Sequence, residues 1–251
     1  KNNTITPNAF ASASKDYTYY EGLAAYTDGD NFDKALAEEY KTTAIEELTA
    51  AGATFPIKML MCYNPTSANW AQECQVVEQQ IETVLGADYV DIIIQAGPET
   101  GFLGAIRRTG KYAFMKCNWG ADYADPETWT DPFSTDSSYS FIFKSTDPET
   151  QALYAEYTEL VAAAKAITDD MDARYTAFAK AEAFLLDHAF AVPFSISNRS
   201  YQMCNLNVFE GQYASFGMAN QRYKDQHLYD TSMGLEEYQA AYAEWQSKKA
   251  G

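Results

Sequence analysis

The period of apolar positions changes along the chain, and the changes mark its elements. Residues 1–32 are polar, Tyr-rich and punctuated by Gly and Pro, which predicts mostly irregular structure. From Asp33 to Ala51 the period becomes helical: Ala37, Tyr40, Ala44 and Leu48 recur on one face, Asn31 or Asp33 can cap, and Gly52 is a stop. Ile57–Tyr63 is short and apolar and reads as a buried strand. An amphipathic helix over 68–85 follows, with the stripe Trp70, Cys74, Val77, Ile81 and Val84, ended by Gly86. Tyr89–Gln95 is a second strand, 98–109 a short helix opened by Pro98 and closed by Gly110, and Tyr112–Asn118 a third strand. Residues 119–147 carry Asp, Pro, Ser, Thr and aromatics with little regularity. Two helices come next, over 148–166 (Leu153, Tyr157, Leu160, Val161, Ala164; capped by Asp147) and 170–188 (Tyr175, Phe178, Glu182, Leu185). Ala191–Gln202 reads as a strand, 203–234 as irregular, and 235–247 as a last helix with Tyr238, Tyr242 and Trp245 on one face.

The order strand–helix–strand–helix–strand over 55–118 implies parallel pairing in an α/β layer, because crossovers of that length do not make hairpins. In open α/β sheets, ligands bind beyond the C-terminal ends of the strands. That rule points to Asn118–Trp119, where the third expected strand ends.

Composition narrows the chemistry. With 251 residues, 47% of them hydrophobic, the chain can bury one large core or two small ones. Mean hydropathy is -0.38, and no apolar run approaches the ~20 residues of a membrane span. The formal charge of -17 (35 acidic, 18 basic residues) repels phosphate backbones and argues against a nucleic-acid partner. The 19 tyrosines suit either walls that grip varied ligands or half-buried core positions. Cys62, Cys74, Cys117 and Cys204 form no CxxC and have no histidine at metal-ligand spacing, so neither a metal site nor a cofactor is expected, and disulfide pairing stays open. Only His188 and His227 are available to a catalytic triad, neither beside a nucleophile signature, and no G-x-S-x-G, Walker or G-x-G-x-x-G motif occurs. An enzyme is not expected. The first residue is Lys1 and no signal-peptide pattern follows it, so the chain reads as a mature product or an excised piece.

One stretch is specific. Lys116-Cys117-Asn118-Trp119-Gly120-Ala121-Asp122-Tyr123-Ala124-Asp125-Pro126 resembles the G-W-x-A-D-Y-x-D/E-P signature of the family-5 solute-binding proteins, the oligopeptide and dipeptide receptors of ABC importers. Glu46–Gly52, Tyr63-Asn64, Gly110-Lys111-Tyr112, Arg174–Leu186 and Ala191-Val192-Pro193 resemble further family motifs in the family's order, although Ala113 stands where Asp is usual. The resemblance holds over about 27–210 and is thin in the last 40 residues. It implies an α/β, periplasmic-binding-protein-like lobe (type II) with a mixed sheet flanked by helices. Residues 1–198 would be the C-terminal lobe of a two-lobed clamshell, incomplete at its start, and 199–251 a return segment toward the other lobe. It further implies a peptide ligand, membrane permease subunits and a missing N-terminal lobe as partners, and an extracytoplasmic place, in the periplasm or as a cell-surface lipoprotein. Other ligands taken within the family (a nickel chelate, haem, an oligosaccharide) and a stand-alone interaction domain are the alternatives.

By the same resemblance Asp122 would receive the ligand's α-ammonium, its alternative being an Asx turn or helix cap. Trp119 would wall the cleft or fill the core. Asn118 and Gly120 would offer backbone groups to an extended ligand. Lys116 and Arg107 align with residues that some relatives turn toward ligand carboxylates. Glu99 replaces a cleft aromatic, which puts the side-chain pocket in doubt.

Overall fold

The computed structural model describes residues 3–139, 141, 145–196, 204–211 and 223–249. The helices are α1 (Ala24–Thr27), α2 (Lys34–Ala50), α3 (Trp70–Leu85), α4 (Glu127–Thr130), α5 (Pro148–Ala166), α6 (Met171–Asp187) and α7 (Leu235–Lys249), and the strands are β1 (Ile57–Tyr63) and β2 (Val90–Ala96). Capping places three starts where the sequence put them. Asp33, Asp147 and Asp170 each accept a hydrogen bond from the amide three residues on, at 3.0, 2.8 and 2.9 Å. No described helix is long and apolar enough to cross a membrane.

Strands β1 and β2 pair in parallel, Ile57 opposite Val90 through Tyr63 opposite Ala96. Alternation sends Met59, Met61 and Tyr63 and Val90, Ile92 and Ile94 to one face, where Trp70, Cys74, Val77, Ile81 and Leu85 of α3 cover them. A second, separate cluster joins α5, α6 and the first 26 residues around Tyr17, Leu23, Tyr157, Phe178 and Leu185. In it Glu182 is fully buried, and accepts from Ile5 N (2.7 Å), Thr6 N (3.0 Å), Thr6 Oγ1 (2.7 Å) and Tyr17 Oη (3.0 Å).

Three expected elements come out differently. The 112–118 strand is reduced to one parallel bridge, Met61 with Phe114, and one bond, Ala113 N to Leu60 O at 2.8 Å. Past Phe114 the side chains are drawn elsewhere, Lys116 to Glu73 on α3 and Cys117 to Arg107, and the chain leaves the ladder. The 98–109 helix shrinks to a π-helical turn, Leu103–Arg107, because Gly101 at φ +69° breaks the segment before it. Residues 191–196 are unpaired, with Val192 81% and Phe194 72% exposed, and the remainder of that expected strand, 197–202, lies outside the described residues.

Candidate functional site

The 119–131 loop is built from its own acidic and hydroxyl side chains. Asp125 Oδ1 accepts from Glu127 N at 2.9 Å and opens α4, with Pro126 between them. Thr128 then holds the loop's other arm. Its carbonyl accepts Trp119 Nε1–H at 2.6 Å, and its Oγ1 accepts Asp122 N–H at 3.1 Å. Tyr157 Oη donates to Thr130 O at 2.7 Å and fixes the far end on α5.

Two of the expected site residues, Trp119 and Asp122, are thus brought together through Thr128. Trp119 is half-buried, edge-on to Tyr139 (centroids 4.6 Å apart) and Phe141 (5.8 Å). Asp122 is exposed, and among the described residues nothing hydrogen-bonds or ion-pairs with its carboxylate. The turn-capping role open to Asp122 from sequence falls to Asp125 instead.

The other expected residues are more dispersed. Arg107 lies over the Phe141 ring (5.2 Å to the centroid) and donates to Cys117 Sγ at 2.9 Å, so it joins Trp119 through a shared aromatic neighbour. Lys116 is paired instead with Glu73 on α3 and set 5.9 Å from the Trp70 centroid. Asn118 and Gly120 are exposed, make no backbone-to-backbone bond among the described residues, and open space stands where a Cβ would be added at Gly120. Sequence reasoning did not find Thr128, Tyr139 or Phe141. The alternating aromatics at 139 and 141 were a signal for the latter two, whereas one threonine in a polar loop carries none.

A separate open cavity of about 630 Å³ lies between α7 and the described residues from 207 to 227, lined by Phe209, Glu210, His227, Glu244, Trp245 and Lys248 among others. Tyr229 and His227 both bond Glu210 there, and the Tyr229 hydrogen bond holds the Glu210 carboxyl below its usual range. None of the expected site residues lines it.

The chain is 30% identical over 235 residues to the oligopeptide-binding protein AmiA of Streptococcus pneumoniae serotype 4 (strain ATCC BAA-334 / TIGR4), covering 88% of this chain and 35% of the relative. It is 31% identical over 239 residues to AliA of the same strain, covering 87% and 36%. By sequence, this chain is a relative of the oligopeptide-binding proteins. It spans about a third of the length of those curated relatives. No protein-family model matches it. Among solved structures, the pheromone receptor PrgZ superposes with a TM-score of 0.62 at 18% identity, over 90% of this chain and 39% of that one. A peptide-binding protein of a peptide ABC transporter superposes with a TM-score of 0.59 at 24% identity, over 77% of this chain and 78% of that one. The fold is therefore periplasmic-binding-protein-like, helices and sheet together, as the signature implied. The relatives are named as binding proteins.

Proposed function

We propose that this chain is one lobe of an extracytoplasmic receptor that captures peptides for an ABC importer, binds through the 118–122 segment and catalyses nothing. The observation that carries the reading is Asp122: an exposed carboxylate without a partner among the described residues, its backbone held by the same Thr128 that accepts the indole of half-buried Trp119. An unpaired carboxylate on a backbone held in place suits an ammonium group, which would gain a charged hydrogen bond as the cleft closes and dries. Asn118 and Gly120, whose backbones make no backbone-to-backbone bond among the described residues (the Asn118 carbonyl accepts only the Cys117 thiol, at 3.8 Å), suit an extended ligand added as a strand. Arg107, over Phe141, is the better candidate to meet a ligand carboxylate, and Lys116, paired with Glu73, the weaker one.

In this reading residues 1–198 form the C-terminal lobe and 199–251 the segment that returns to an N-terminal lobe. Exposed apolar side chains support a further lobe packing here: Val192 (81%), Phe194 (72%), Ile196, Leu228 (82%) and Leu235. The loaded clamshell would then dock on membrane permease subunits, tethered at the cell surface or free in the periplasm. Native mass spectrometry of the full-length protein tests the ligand class. Co-purified peptides are the expected result; a nickel chelate, haem or an oligosaccharide in their place would overturn it.

A further inference from the structure

We propose that Arg174 is a positioning residue for the ligand site, clamping the 119–131 loop, and with it Trp119 and Asp122, onto the α5–α6 hairpin without touching ligand. Arg174 sits in the first turn of α6, with a side chain 12% exposed. Its Nε donates to Asp125 Oδ2 at 2.9 Å and its Nη2 to Asp125 Oδ1 at 3.0 Å, a two-point fork. The same Nη2 reaches Glu127 Oε2 at 2.8 Å. Nη1 serves the opposite side, donating to the carbonyls of Ala164 (3.3 Å), Lys165 (3.1 Å) and Ile167 (3.1 Å), where α5 ends. The guanidinium lies over the Phe178 ring, 4.8 Å from its centroid.

One side chain therefore joins the loop, the end of α5 and the start of α6. Lysine cannot replace it, because a point charge has neither the planar fork nor enough donors for both sides. From Asp125 the connection to the site is short. Asp125 sets α4, α4 presents Thr128, and Thr128 holds both the Trp119 indole and the Asp122 amide. Tyr157 anchors the loop only at Thr130, and Lys165, 40% exposed, bridges Glu127 and Asp131 in solvent. The start of the loop thus depends on Arg174.

The proposal rests on the reading of Trp119 and Asp122 as ligand residues, but its test does not use ligand, so the two can fail separately. Indole N–H exchange would be followed by NMR in the 15N-labelled chain, with Trp70 in the other cluster as internal reference. Arg174→Lys and Asp125→Asn are the variants; the second removes only the loop's half of the clamp and leaves the three carbonyl bonds. The expected result is Trp119 indole exchange faster by roughly tenfold or more in both, with Trp70 within about twofold of wild type. If Arg174→Lys does not fold, Asp125→Asn decides alone. Unchanged Trp119 exchange would overturn the proposal, and so would acceleration of Trp119 and Trp70 together, which marks general destabilisation in place of a local clamp.

Discussion

Replacing Glu182 by alanine should cost far more than replacing it by glutamine. The carboxylate is completely buried, and its two oxygens divide four donors between them. Oε1 takes the Ile5 and Thr6 amides, and Oε2 takes the Thr6 and Tyr17 hydroxyls. Alanine strands all four. The hydroxyls can turn toward one another, but the amides cannot. At about 1–3 kcal/mol for each unsatisfied buried donor, the two amides alone put the loss at about 2–6 kcal/mol. That is a large share of the roughly 5–15 kcal/mol that holds a domain folded. Glutamine keeps an oxygen for both amides, and its NH2 meets two hydroxyls that have lone pairs to offer. Its loss should be about 1–2 kcal/mol. Urea unfolding followed by circular dichroism gives both numbers, provided the m-values match. Equal losses in the two variants, or an alanine loss under about 1 kcal/mol, would show that Glu182 does not hold residues 5–17 onto α6.

Burial pushes the Glu182 carboxyl above its ordinary value of 4.5, and the four hydrogen bonds offset part of that rise. A raised carboxyl contributes stability that is complete below its unfolded value and lost as pH climbs through its folded value. The stability of wild type relative to Glu182→Gln should therefore improve as pH falls from neutral toward about 4.5, and a difference independent of pH would contradict it. Taking that difference cancels the opposite contribution of Asp147, Asp172, Glu210 and Glu244, whose hydrogen bonds lower them and whose stabilisation is lost on acidification. Cys117 is exposed, whereas burial raises the Cys62 and Cys74 thiols, so the fastest reaction with a thiol reagent should disappear in Cys117→Ser; a surviving fast phase would refute the assignment. On the proposed two-lobed reading the isolated chain should bind peptides weakly by calorimetry, since half of the contacts would face the whole cost of immobilising the ligand; sub-micromolar affinity would mean that the cleft is not shared between lobes.

Where one rule governed an element, sequence was enough. Asp33 and Asp147 announced their helices, and seven residues of apolar β1 paired with seven of β2 as the crossover length required. Tyr112–Asn118 has the same apolar look, but its later side chains find better partners on α3 and in Arg107, and local pattern does not register such long-range competition. The candidate site was read as a signature, and two of its residues, Trp119 and Asp122, both bond Thr128. What the signature did not give was the division of labour between its two aspartates. Asp122 and Asp125 look alike in sequence, and only the approach of Arg174 from α6, 49 residues beyond Asp125, separates a clamp from an open carboxylate. Glu182 was read only as one position of the stripe of its helix, and its four donors, on residues 5, 6 and 17, left no sign in the local pattern.

The central claim is that Asp122 receives the ammonium of a peptide, and Asp122→Asn in the full-length receptor tests it most directly. The change keeps shape and removes charge. Removing one partner of a desolvated charged pair costs about 2–5 kcal/mol, so affinity for peptides with a free N-terminus should fall roughly 30-fold or more. N-acetylated peptides should bind wild type weakly and lose little further in the variant. Thermal stability without ligand should barely move, because the Asp122 carboxylate is exposed and has no partner among the described residues. Equal affinity of wild type and variant for free peptides would contradict the claim and remove Asp122 from the site.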